Sequence, residues 1–139
     1  MRRRAVAGMV LAGALCVSGC GGPMQPEELA RSIQTLESSA AEGALLAHDV
    51  ARDRTKATFV RAHARELGET VIHEAEKLND ADAEADVAPA KARAIDLADQ
   101  ISAELGRIQV APNSETEGRS AEQSLTRLGE RAGKLAEGL

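Results

Sequence analysis

From residue 29 onward, apolar and small residues return in alternating steps of four and three: Leu29, Ile33, Leu36, Ala40, Gly43, Ala47 and Val50. That rhythm keeps one face of an α-helix turned toward a partner helix. A strand cannot use it, because a strand shows the same face at every second residue. The spacing recurs three times more. Val60, Ala64, Leu67, Val71, Ala75 and Leu78 form a second seam, and Val87, Ala90, Ala94, Leu97, Ile101, Leu105 and Ile108 a third. Ala121, Leu125, Leu128, Ala132, Leu135 and Leu139 form a fourth.

Composition supports the helical reading. The chain has one Phe, no Tyr, no Trp and 27 Ala among 139 residues. Sandwiches, barrels and doubly wound sheets need β-branched and aromatic side chains to fill a pleated core, so they are excluded. A net charge of -5 with almost no stacking aromatics argues against a nucleic-acid partner.

Punctuation between the seams divides the chain into four helices. Pro26 with Glu27 and Glu28 suits a first turn, so the first helix is expected over about 26–52. A second is expected over about 55–80 with Thr55 as N-cap, and a third from near Asp86 with Pro89 in its first turn. Ala111-Pro112-Asn113-Ser114 ends the third. Ser114 with Glu117, or Ser120 with Gln123, offers a capping box for the fourth. Four such helices with short connections make an all-α, up-and-down four-helix bundle over residues 26–139. The rival is a three-helix arrangement or coiled-coil arm in which the first two helices fuse, since Arg52-Asp53-Arg54 contains neither Gly nor Pro.

The first nineteen residues stand apart. Met1-Arg2-Arg3-Arg4 is cationic, and Ala5 to Val17 is an uncharged run of thirteen residues. A run of that length suits a signal-peptide apolar region and is too short to span a bilayer as a helix. It ends in Val17-Ser18-Gly19-Cys20, which resembles the lipobox of bacterial lipoproteins. The resemblance implies alkylation of the Cys20 thiol by a diacylglyceryl transferase and cleavage before Cys20 by signal peptidase II. Residues 1–19 would then be a lipoprotein signal peptide and residues 20–25 a lipidated tether. The expected location is the outer surface of the cell membrane, or an outer membrane if the source has two. The mature chain would keep 14 basic against 22 acidic side chains, a formal charge of -8. It would also keep no free thiol, since Cys16 leaves with the signal peptide; a disulfide framework and a thiolate metal site are thereby excluded. Two acyl chains anchor stably where one does not.

Candidate chemistry is sparse. On the second helix His63, Glu66 and His73 form a stripe able in principle to hold a metal ion, with His48 on the first helix. The Glu-x-x-His signature of di-iron bundles is missing, because Leu45, Val60 and Thr70 stand three residues before the histidines. No nucleophile elbow, phosphate-cradling loop or nucleotide fingerprint occurs. The expectation is a non-enzyme without cofactor: a membrane-anchored interaction or accessory module that contacts another envelope protein. The alternative is a metal or small-ligand binder using the His/Glu stripe. Leu45, Leu46, His48 and Phe59 fall beside the seams and make the best candidate interaction face.

Overall fold

The computed structural model describes residues 22–139. The lipobox residues Val17, Ser18, Gly19 and Cys20 lie outside them. Four antiparallel helices follow in order: α1 (Pro26–Ala51), α2 (Ala57–Asp80), α3 (Ala88–Val110) and α4 (Glu115–Glu137). α1 packs against all three others, most extensively against α4, while α2 pairs with α3; α2 and α4 do not meet. The fused arm is thereby ruled out, and the four-helix bundle stands.

The seams point where the periodicity requires. All seven seam residues of α1 are buried, as are Val60, Ala64, Leu67, Val71 and Leu78 of α2. In α3 the buried seam runs from Ala94 to Ile108, and in α4 from Ala121 to Ala132. Leu135 only packs against the edge of the core, and Leu139 lies beyond the helix, 41% exposed. Because α1 has three neighbours, its buried arc is wider than one seam: Ser32, Ser39 and Leu46, spaced by seven, add a second buried row.

The α1–α2 break is made without Gly or Pro. Arg52 caps α1 and Asp53 takes a left-handed φ of 52°. The Asp53 amide donates to the Val50 carbonyl at 3.2 Å, and the Arg54 amide to the Asp49 carbonyl at 2.9 Å. This is the Schellman bond pair, with Asp in the position usually held by Gly. Asp tolerates the left-handed region better than most residues, so the chain turns here without Gly or Pro. α2 starts two residues later than expected: its N-cap is Lys56, which makes no side-chain cap bond, and Thr55 lies in the loop before it. At α4 the Ser114 side chain accepts from the Glu117 amide at 3.2 Å, so Ser114 and not Ser120 is the cap. The reciprocal half of the box is not made, because the Glu117 carboxylate takes Arg107 instead, at 2.7 Å. That hydrogen bond, followed by the charges of Glu104 and Glu117, raises the Arg107 guanidinium further above its ordinary range.

The segment before α1 is tied into the bundle. The Met24 amide donates to the Asp82 carbonyl at 2.7 Å, an isolated parallel bridge joins Met24 to Ala83, and the Met24 side chain is 2% exposed. The expected tether of residues 20–25 is therefore shortened: by Met24 the chain already belongs to the core. No helix among the described residues is long and apolar enough to cross a membrane.

Candidate functional site

Helices α1 and α4 approach through small residues. A Cβ on Gly118 would fall 2.6 Å from the Ala51 backbone nitrogen and 2.9 Å from the Ala47 carbonyl oxygen. Gly43 faces the Leu105 and Leu125 side chains, and Gly129 faces Ala40 and the Glu37 carbonyl. So close an approach leaves a shallow outer groove between the two helices, about 460 Å³ in volume. Ala41, Ala44, Leu125 and Gly129 line it, and Leu45 stands on its α1 edge, 69% exposed. Glu37 and Glu130 lie toward the end that carries the N-terminal segment, and neither takes part in a salt bridge among the described residues.

Past the apolar stretch, toward the other end, His48 Nδ1 meets the Glu122 carboxylate of α4 at 2.8 Å, and the Arg52 guanidinium reaches the same ring nitrogen. Beyond them the groove continues past Arg52 and Arg119, while Arg127 lies on the near side of Glu122, one turn from Glu130. Arg119 also pairs with Glu115 at 3.4 Å, and Arg127 donates to the Ser124 hydroxyl at 3.4 Å. The ends of this face thus differ, with Glu37 and Glu130 at one and Arg52 and Arg119 at the other; the apolar stretch and the inner charges Arg127 and Glu122 lie between them.

The other candidate residues scatter. Leu46 is 4% exposed and belongs to the core, because the second buried row of α1 claims it. Leu45 and His48 line the α1–α4 groove, whereas Phe59 stacks on His63 of α2 with ring centroids 5.4 Å apart. His63 turns toward the other flank of α1, with Nε2 on Glu42 at 2.8 Å and Nδ1 on Glu66 at 3.8 Å. The proposed face of Leu45, Leu46, His48 and Phe59 is therefore not one surface.

Nor does the metal stripe converge. Its one carboxylate, Glu66, and Glu42 of α1 sit on opposite nitrogens of the His63 ring, and His73 lies ten residues further along α2, about 15 Å at 1.5 Å per residue. Among the described residues no group of three His, Cys, Asp or Glu is placed to hold a metal ion.

One further polar cluster went unforeseen. Lys77 of α2 donates to the buried Ser32 hydroxyl of α1 at 3.2 Å and lies 3.8 Å from Glu74, one of whose oxygens is buried without a hydrogen-bond partner. The sequence signal was the serine at a buried heptad row, legible only once α1 is known to touch three helices. Comparison of the chain with protein-family models, with curated proteins and with solved structures finds no match.

Proposed function

We propose that this protein is a lipid-anchored, extracytoplasmic helical module that works by binding another envelope protein rather than by catalysis, and that the α1–α4 groove is its contact surface. The single observation that supports this reading is the groove itself. It combines an apolar floor of small residues, an exposed leucine at its edge and two carboxylates that make no salt bridge among the described residues. Small residues let a second body approach closely, and unpaired rim charges set its orientation. Attachment rests on Val17-Ser18-Gly19-Cys20 and its resemblance to a lipobox.

Two measurements test the two halves. The full chain expressed in bacteria is expected to incorporate labelled fatty acid, and a Cys20→Ala variant to lose the label; equal labelling of both would remove the anchor. A photo-crosslinking side chain introduced at position 45 in intact cells is expected to give a protein adduct, while the same group at Ile72, on α2 and away from the groove, gives none. Adducts at neither site, or equally at both, would remove the groove as a contact surface.

A further inference from the structure

The charge order of the α1–α4 face has a specific geometric property. On α1, Glu37 and Arg52 stand at opposite ends of the groove, fifteen residues or about 22 Å apart, and their midpoint falls between Ala44 and Leu45. On α4, Glu130 and Arg119 bound the same groove, and their midpoint falls between Ser124 and Leu125. These midpoints lie at one level of the bundle, because Leu125 reaches within 3.2 Å of a Cβ built on Gly43. Acid and base are therefore disposed about a common centre, and that centre is the apolar stretch where Leu45 is exposed.

A surface with this order is complemented by itself turned through half a revolution. We infer that the occupant of the groove is a second copy of this chain, packed about a two-fold axis that passes beside Leu45. This rests on reading the face as a contact surface and names its partner. In the pair, Glu37 and Glu130 of each copy meet Arg52 and Arg119 of the other, and each Leu45 settles over the small residues Ala41 and Ala44 opposite. A two-fold interface uses the same patch twice, as this pattern requires. Like charges oppose one another in the parallel alignment, which fixes the antiparallel one. The two N-terminal segments then leave from opposite ends of the pair. Anchors there would hold it lengthwise along a membrane.

The inference is tested on the full chain purified in mild detergent. Light scattering is expected to show the protein mass of a dimer, with a dissociation constant on the order of 1–100 µM for so small and polar an interface. A short bis-maleimide is expected to join Leu45→Cys chains into dimers and to leave Ile72→Cys chains at the background of the unaltered protein. The paired variants Glu37→Arg/Glu130→Arg and Arg52→Glu/Arg119→Glu should each weaken self-association by at least about fivefold, and an equimolar mixture of the two should restore it. Circular dichroism of each variant confirms its helicity before the comparison. A monomer at all accessible concentrations, or an unchanged dimer in both charge variants, would overturn the proposal. So would photo-crosslinking at position 45 in intact cells that gives adducts only with a different protein, although that result would leave the contact surface itself standing.

Discussion

Gly118 sits where two backbones nearly touch. Its hydrogen is the only substituent that fits, since a methyl group would press on backbone atoms of Ala47 and Ala51, which cannot rotate aside as a side chain can. Gly118→Ala is expected to lower unfolding free energy by roughly 1–3 kcal/mol, the usual range for overpacking, despite alanine's better helix propensity. Gly129 makes the control. A Cβ there meets Ala40 at 3.6 Å, an ordinary contact, so Gly129→Ala should be neutral or up to about 1 kcal/mol more stable. Urea denaturation of both variants separates close approach at one residue from a general intolerance of the α1–α4 interface. The two glycines look alike in the sequence; only the pairing of α1 with α4 distinguishes them.

At the level of the helix, the three-four rhythm identified all four elements and nearly every core residue, because burial on one face leaves a period that composition cannot hide. Two of the departures have a clear physical reason. Leu46, Ser32 and Ser39 were missed because one seam per helix assumes one facing direction, and α1 has three neighbours. The α1–α2 break was placed within two residues of its position, but its turn was not assigned, because Asp53 performs the turn that Gly normally makes. Asp53→Gly should therefore raise stability by about 0.5–1 kcal/mol by relieving the left-handed residue, whereas Asp53→Val should lower it by at least ~1 kcal/mol. Thermal unfolding of the two variants checks this. A loss on glycine substitution would mean that the Asp side chain does more for the loop than its backbone angle indicates. Of the candidate site, only the α1 wall, Leu45 and His48, was legible. Its α4 wall depends on which helices become neighbours, a long-range outcome that local spacing does not encode.

For the whole molecule, the segment before α1 matters more than its length suggests. Met24 inserts its thioether into the core and joins the first described residues to the turn between α2 and α3. Met24→Ala is expected to cost about 2–4 kcal/mol, as for other buried methionines, and to loosen a region distant in sequence. Hydrogen exchange should then quicken at Met24 and at Val87 and Ala88, whose amides bond to the Glu84 carbonyl. Unchanged exchange at Val87 and Ala88 would show that the turn holds itself. The same junction decides how the bundle bears a pull. Tension arriving from residue 22 meets a backbone bond and a buried side chain before it reaches the first turn of α1. The strain is thus shared between α1 and the α2–α3 turn, and the bundle resists being peeled open from one helix end.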